Sequence, residues 1–220
     1  MQLKPIAYFR SPLVSKFGIP RQSGVVEELE GRVVFEKEFC SPDAVRGLEG
    51  FDYVWLIWGF SANKHSASKL TVRPPRLGGN ERLGVFATRS PFRPNPLGLS
   101  CVRIKEIKDG ELYVYGADLM DGTPIYDIKP YVPYADAHPD ARGGFTDSNG
   151  WQPLEVVIPE DIASAFSATE LSSLRGVLAQ DPRPQYHDDP GRIYGMPFAG
   201  KDVKFKVDGD TLTVTGISTL

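Results

Sequence analysis

The sequence predicts a mainly β fold, an antiparallel barrel or sandwich of short strands followed by a small α+β unit. Up to about residue 134, runs of β-branched and aromatic residues alternate with turn signals rich in Gly, Pro and Asp. This alternation is typical of antiparallel β structure. Beyond residue 150 the pattern changes to an amphipathic helix and a closing hairpin. No strand is followed by G-x-G-x-x-G and a helix, which excludes a Rossmann dinucleotide site.

The first part of the chain contains the candidate strands, at residues 6–9, 31–36, 51–60, 101–107, 111–119 and 125–133. The aromatic run FDYVWLIWGF at 51–60 has the length and composition of a fully buried strand, with Trp55 and Trp58 in the core. Asp109-Gly110 between two alternating runs predicts a hairpin. Between the second and third strands, Ser41 and Pro42 predict the start of a single helical turn at 43–48.

A change in composition predicts two domains, residues 1–150 and 151–220. Residues 135–150 are rich in Asp, Gly, Ser and Pro, which is typical of a linker. After it, a short helix is expected at 159–166, and the Ser167-x-x-Glu170 capping box predicts the start of a second helix. The apolar face of that helix is formed by Leu171, Leu174, Val177 and Leu178. A final hairpin is expected over 201–217.

The composition is that of a soluble globular protein: 220 residues, 41% hydrophobic and 24% charged. Cys40 and Cys101 are the only cysteines, which suits a reducing compartment and excludes a cysteine-rich zinc site. His65, His138 and His187 have no ligand-like spacing, so we expect no metal. No apolar run is long enough for a signal peptide or a membrane span, so we expect a cytoplasmic protein without membrane contact.

The charge is unevenly distributed along the chain. The net charge is −3, yet residues 71–105 carry +6 and the remainder −9. This segment contains one acid, Glu81, and seven basic residues: Arg73, Arg76, Arg82, Arg89, Arg93, Arg103 and Lys105. A focused positive patch on an acidic body favours local contact with phosphates. Acids from elsewhere in the fold could equally neutralise it.

The Arg-Pro segment, GVFATRSPFRPNPLGLS at residues 84–100, is the densest motif. Its three prolines remove backbone donors and fix φ, so it predicts a rigid loop entered from a short strand at 83–87. The loop would hold Arg89, Arg93 and Asn95 in fixed positions, and guanidinium forks suit carboxylates and phosphates. The alternative is a surface loop whose arginines pair with local acids.

A second polar segment, DLMDGTPIYDIKPY, lies at residues 118–131. Asp118 is expected at a strand end and Asp121 in the following turn, where turn formation alone would explain it. Asp127 and Lys129 share a face if their run is extended. Three acids beside one lysine favour a polar site, in which carboxylates could hold ribose hydroxyls or an ammonium group.

These two segments resemble the TsaA-like tRNA methyltransferases, the TrmO family. Further matching motifs are PRQ at 20–22, DAVRGLE at 43–49, TVRPPRLGG at 71–79 and LAQDPRP at 178–184. The resemblance implies a small antiparallel β-barrel that binds S-adenosylmethionine without a Rossmann sheet, usually as a homodimer. It also implies methyl transfer to the exocyclic nitrogen of threonylcarbamoyl-adenosine, beside the anticodon of a threonine tRNA.

By the same resemblance, cofactor contacts are expected at Pro20, Arg21, Gln22, Ser61, Ala62, Arg89, Leu99, Asp118, Leu119, Met120 and Asp121. At Ser61 and Ala62 the sequence departs from relatives that have a histidine there. Substrate contacts are expected at Arg73, Arg76, Arg93, Asn95, Lys129, Tyr131 and Arg183. The acceptor nitrogen needs its proton removed, and Asp118, Asp121 and Asp127 are candidate catalytic bases among which the residues do not choose.

The threonyl carboxylate of the implied substrate could be bound by Arg89 or Arg93 in a bidentate pair. We expect residues 1–150 to fold and bind the cofactor, and residues 151–220 to help place the anticodon arm. Residues 151–220 carry a net charge of −4, so a shape-directed contact through Arg183, or a dimer contact, is expected instead of broad phosphate attraction.

Two alternative functions are a non-catalytic RNA-binding barrel and a methyltransferase of the same fold acting on a small metabolite. The acids at 118–127 argue against a pure phosphate binder.

Overall fold

The computed structural model describes residues 2–63, 70–74, 81–148, 152–184 and 189–220. Its strands are β1 Ala7–Arg10, β2 Glu30–Phe35, β3 Tyr53–Gly59, β4 Thr71–Val72, β5 Leu83–Gly84, β6 Leu97–Lys108, β7 Glu111–Tyr115, β8 Pro124–Pro130, β9 Glu155–Val157, β10 Tyr194–Phe198, β11 Lys201–Asp208 and β12 Thr211–Thr219. Its helices are α1 Pro42–Val45, α2 Pro133–Asp136, α3 Glu160–Ala163 and α4 Ala168–Ala179.

Six strands close into an antiparallel barrel in the order β1-β2-β7-β6-β3-β8. Because side chains alternate across a strand, β3 turns Val54, Leu56 and Trp58 into the barrel. They pack there with buried residues of the neighbouring strands, among them Phe9 and Leu112. The predicted mainly β fold with a small barrel is therefore confirmed, and the sandwich alternative is not what forms.

Local signals in the sequence account for the turns and helix starts. Asp109 and Gly110 both adopt left-handed backbone conformations, at φ 52° and 76°, which the tight hairpin between β6 and β7 requires. The side chain of Ser41 accepts a hydrogen bond from the Asp43 amide at the start of α1. At the start of α4, Ser167 and Glu170 form the predicted capping box.

Several predicted boundaries differ from the structure. Residues 97–100, predicted as loop, already belong to β6, since Leu97 and Gly98 pair with the end of β3. The short strand predicted at 83–87 is limited to β5 and continues as a 3₁₀ turn, Val85–Ala87. The strand predicted at 111–119 ends at Tyr115, because Gly116 has a φ of 78° and turns the chain.

The second unit is a four-stranded sheet in the order β10-β11-β12-β9, with β9 parallel to β12. Its core includes the face of α4 formed by Leu174, Val177 and Leu178. The hairpin of β11 and β12 was predicted, whereas β9 and β10 were not. Strand β10 contains Gly195 and Pro197, two residue types that are depleted in strands.

The linking segment, which we define as residues 11–29 between β1 and β2, leaves the barrel and packs on the second unit. Leu13, Val26 and Leu29 are buried in the core formed by α4 and the four-stranded sheet, not in the barrel core. Residues that precede β2 in sequence thus share a core with residues beyond 152. The division of the chain at residue 150 remains a prediction, and residues 149–151 lie outside the described part of the structure.

Candidate functional site

A cavity of about 620 Å³ opens at the end of the barrel where β3 ends, β6 begins and β7 has just ended. This volume is within the range of small-molecule sites. Four stretches of chain contribute to its wall, which is lined by Ile19, Pro20, Arg21, Gln22, Trp58, Phe60, Phe86, Thr88, Arg89, Pro91, Arg93, Pro94, Asn95, Leu97, Gly98, Leu99 and Asp118. The linking segment, the end of β3, the Arg-Pro segment and the chain after β7 therefore converge on one site.

The apolar part of the wall is built on β3 and β6. Trp58 pairs with Gly98 across the two strands, and a Cβ atom at position 98 would lie 2.2 Å from the indole ring. Only glycine therefore allows the indole to lie against this backbone. The Phe60 ring packs edge-on against Trp58 with 4.4 Å between the centroids.

The Arg-Pro segment is held by hydrogen bonds from its own side chains. Thr88 Oγ1 donates to the carbonyl of Val85 at 2.9 Å, and Ser90 Oγ accepts from the amide of Phe92 at 3.2 Å. The Arg93 guanidinium donates to the carbonyl of Thr88 at 3.1 Å, which keeps that side chain folded over its own loop. Rigidity of this kind keeps the two arginines of this segment at a constant separation.

Arg89 connects two parts of the wall that are distant in sequence. Its Nη1 atom donates a hydrogen bond to Oε1 of Gln22, with 2.5 Å between the two atoms. Its positive charge also acts on Asp118, where it favours the ionised carboxylate. The motif at 20–22, the Arg-Pro segment and Asp118 thus form one polar cluster.

Asp118 is the acid of the cavity. Its Oδ1 atom accepts a hydrogen bond from Ser100 Oγ at 2.5 Å, and Ser100 in turn accepts one from Trp58 Nε1 at 2.9 Å. The backbone of Ser23 also favours the ionised carboxylate. Burial raises the pKa of Asp118 above its ordinary value, against the opposing effect of these hydrogen bonds and of Arg89.

The cavity brings together eight of the residues predicted for cofactor or substrate: Pro20, Arg21, Gln22, Arg89, Arg93, Asn95, Leu99 and Asp118. Other residues of the same predicted set do not line it. Leu119 is fully buried in the barrel core. Asp121 accepts from the amide of Ser11 at 3.1 Å and lies 3.6 Å from the Arg10 guanidinium. Met120, Ser61 and Ala62 also lie outside the lining residues.

The remaining predicted substrate residues that the structure describes do not line the cavity. Lys129 pairs with Asp127 at 2.9 Å, and the Tyr131 ring packs against the rings of Tyr53 and Trp55. Arg73 is exposed just after β4, and Arg76 lies outside the described residues. Arg183 donates from Nε and Nη2 to the carboxylate of Asp181, at 2.8 and 2.9 Å. Of the three candidate bases, Asp118 is the one that lines the cavity.

Sequence reasoning missed several residues of the wall. Trp58 was predicted as core; it is 6% exposed and also lines the cavity. Phe60 and Phe86, which line the cavity, and Ser100, which bonds to Asp118 without lining it, were not predicted as site residues. Ser100 carried a usable signal, since it is a polar residue at an inward position of an alternating strand, and buried polar groups need partners.

The described residues contain neither a cluster of metal ligands nor a membrane-spanning helix. No group of three or more His, Cys, Asp or Glu side chains there is arranged to hold a metal ion. In the same part of the chain, no helix is both long enough and apolar enough to cross a membrane.

Fold and site together define a β-barrel protein with a small-molecule cavity in which a buried carboxylate faces an arginine-bearing loop. The chain belongs to the TrmO family: the family model for the tRNA-methyltransferase O N-terminal domain matches residues 8–137, and the model for the TrmO C-terminal domain matches residues 152–220. The resemblance seen in the sequence is thereby confirmed.

Relatives match over nearly the whole chain. A tRNA (adenine(37)-N6)-methyltransferase of Escherichia coli K12 is 40% identical over 94% of this chain and 93% of that protein. A Pseudomonas aeruginosa protein, named as an S-adenosylmethionine-dependent methyltransferase, is 42% identical over 91% of this chain and 90% of its own. The crystal structure of TrmO from Pseudomonas aeruginosa superimposes with a TM-score of 0.81 and 34% identity, covering 99% of this chain and 98% of that one.

Proposed function

We propose that this protein is an S-adenosylmethionine-dependent tRNA methyltransferase that modifies N6 of the adenosine at position 37. One observation carries the proposal: the family motifs around Gln22, Arg89 and Asp118, far apart in sequence, converge on a single cavity of small-molecule size. The relatives that match over most of the chain are named for this chemistry.

The residues of the cavity fit S-adenosylmethionine, which supplies an electrophilic methyl group when bound. That molecule presents an adenine ring, ribose hydroxyls, a carboxylate and two cationic groups. The aromatic rings of Trp58, Phe60 and Phe86 offer surface for the adenine. Asp118 can accept from hydroxyls or face a cation, and the Arg89 guanidinium suits a carboxylate.

Asp118 is the residue we propose as catalytic base. The acceptor nitrogen must lose a proton as it is methylated, and a carboxylate inside the cavity can take it. A pKa raised by burial makes Asp118 a stronger base than an ordinary carboxylate. The wall also positions the reactants, which is the main contribution an enzyme makes to a displacement of this kind. Asp121 and Asp127 are held in contacts outside the cavity.

For the RNA substrate we propose threonylcarbamoyl-adenosine in a threonine tRNA. Its threonyl carboxylate requires a cation near the cavity, and Arg93 lines the wall beside Asn95. Because Arg89 is assigned above to the carboxylate of S-adenosylmethionine, we propose Arg93 for this contact. Radiolabelled methyl transfer to threonine tRNA with and without the threonylcarbamoyl group tests the proposal. Equal transfer to both RNAs would refute this substrate assignment, and no transfer to either would refute the methyltransferase function.

We further propose that the protein acts as a homodimer in the cytoplasm, where its tRNA substrate is found. The outer face of β3 and β6 carries apolar side chains side by side: Leu99 is paired with Ile57, and Cys101 with Trp55. Leu99 and Tyr53 are 55% and 41% exposed. A second copy would cover this face, and self-complementary contact across a two-fold axis is the commonest way to do so.

A further inference from the structure

We propose that the second unit positions the cofactor wall of the cavity by holding residues 17–23 of the linking segment. This inference rests on the proposed function, because it assigns the second unit a role in binding S-adenosylmethionine. It differs from the sequence-based expectation that residues 1–150 bind the cofactor without assistance.

Residues 17–19 are anchored in the second unit. The Phe17 ring stacks on Phe205 of β11 with 6.4 Å between centroids and 21° between planes. Gly18, at a φ of 90°, lies so close to Met196 that a Cβ atom would be 2.3 Å from its sulfur. Ile19 packs against the same core and also lines the cavity. The second core therefore reaches the cavity wall itself.

Residues 20–23 then form part of the cavity wall and interact with Arg89 and Asp118. Pro20, Arg21 and Gln22 line the cavity directly. Gln22 accepts the hydrogen bond from Arg89, and the backbone of Ser23 acts on the Asp118 carboxylate, where it favours the ionised form. Seven consecutive residues thus connect the core of the second unit with the arginine and the acid of the site.

The rest of the linking segment is fixed to the second unit on both sides of this stretch. On one side the amide of Ala199 donates to the carbonyl of Pro12 at 3.0 Å. On the other, Ser173 Oγ of α4 donates to the carbonyl of Glu28 at 2.8 Å, and Val26 lies against Gly176. The barrel adds contacts of its own, from Asp121 to Leu13 and between Gly24 and Gly116.

Anchoring of this kind affects affinity through entropy. A connection as long as the linking segment has many conformations unless it is packed, and ordering it during binding would reduce affinity. The second core orders the segment before the cofactor arrives. Weakening the anchor should therefore weaken cofactor binding even though the altered residue does not touch the cavity.

The test compares two substitutions in the second core. Phe205→Leu removes the ring on which Phe17 stacks, whereas Phe166→Leu removes a ring that packs on Phe198 and Lys201. At a temperature well below both melting transitions, Phe205→Leu should raise the Kd and the KM for S-adenosylmethionine about three- to tenfold, with the KM for tRNA unchanged. Phe166→Leu should leave all three constants at wild-type values.

Amide hydrogen exchange supplies a readout besides activity: residues 17–23 should exchange faster in Phe205→Leu and not in Phe166→Leu. Should Phe205→Leu not fold, Phe17→Leu removes the same stack from a partly buried position. Wild-type affinity in the stack variant, or an equal loss of affinity in both core variants, would overturn the inference. A wild-type protein that binds no S-adenosylmethionine would instead refute the proposed function beneath it.

Discussion

The hydroxyl of Ser100 donates a hydrogen bond to Asp118, with 2.5 Å between Oγ and Oδ1, at the point where β6 forms the cavity wall. The same hydroxyl accepts from the indole of Trp58, so its proton is directed at the carboxylate. Ser100 is fully buried. Asp118 accepts the last hydrogen bond of the series that runs from Trp58 through Ser100. The carboxylate is thus oriented from the barrel side by β3 and β6.

The first prediction concerns the pH dependence of stability. Burial raises the pKa of Asp118 in the folded state, so the folded protein holds this proton to a higher pH than the unfolded chain does. The stability contribution of Asp118 therefore falls as pH rises from about 4, the ordinary aspartate value, through the raised folded value. In Asp118→Asn this loss is absent.

Chemical denaturation at several pH values checks this expectation. Stability of Asp118→Asn relative to wild type should increase as pH rises through the window, while its affinity for S-adenosylmethionine falls. Asp127→Asn is the matched control, because that carboxylate pairs with Lys129 outside the cavity. A stability difference that stays constant with pH would show that burial does not raise the pKa of Asp118.

The second prediction separates the roles of Arg89 and Gln22. Arg89→Ala removes a guanidinium from the cavity wall, and hydrogen bonds to charged groups contribute about 1.5–3 kcal/mol. Calorimetry should therefore show S-adenosylmethionine binding weakened by about 10- to 100-fold. Gln22→Ala, which removes the acceptor that holds Arg89, should weaken binding less. A larger effect at Gln22 would mean that the amide, and not the guanidinium, makes the main contact.

Much of the fold could be predicted because its signals are local. The hairpin at Asp109-Gly110 and the capping box at Ser167 depend on residues that are neighbours in sequence. The packing of Leu13 into the second core could not be predicted this way. Its partners in the second unit lie more than 140 residues further along the chain, and no local pattern predicts which of two cores a leucine enters.

The site could also be predicted in part, from segments whose composition is unusual. Gln22, Arg89 and Asp118 belong to segments with unusual composition, and a family resemblance grouped them. Which acid faces the cavity depends on the turn after β7, where Gly116 redirects the chain. Ser100 and Trp58 look like ordinary strand residues in sequence, and only the closed barrel brings them beside Asp118.

The third prediction concerns RNA binding. If the basic residues of the segment at 71–105 contact phosphates, the logarithm of the tRNA association constant should fall linearly with the logarithm of salt concentration. Arg73→Ala should lower this slope by about 0.7–0.9, the value for one contact, and leave cofactor affinity unchanged. Arg192→Ala, an exposed arginine of the second unit, is the control. An unchanged slope for Arg73→Ala would remove this residue from the RNA contact.

The fourth prediction concerns the dimer. Ile57 lies on the outer face of β3 between Leu99 and Asp127 of the neighbouring strands. A charge at position 57 would be buried without a partner if a second copy covers this face, so Ile57→Glu should yield monomers by light scattering. Val14→Glu, at a position that is 50% exposed on the linking segment, should leave the wild-type state. A dimer that persists in Ile57→Glu would place the interface elsewhere.

The last prediction concerns removal of the second unit. Truncation after residue 150 exposes Leu13, Val26 and Leu29, each of which loses about 1.5–3 kcal/mol of burial. The barrel keeps its own separate core, so circular dichroism should retain its β signal. The linking segment should lose its order, and S-adenosylmethionine binding should fall below detection in calorimetry. Replacing the three exposed residues by serine in the truncated chain should restore solubility without restoring binding. If the soluble truncated protein instead binds the cofactor with wild-type affinity, residues 1–150 are sufficient for the site and the second unit serves only the RNA or the dimer.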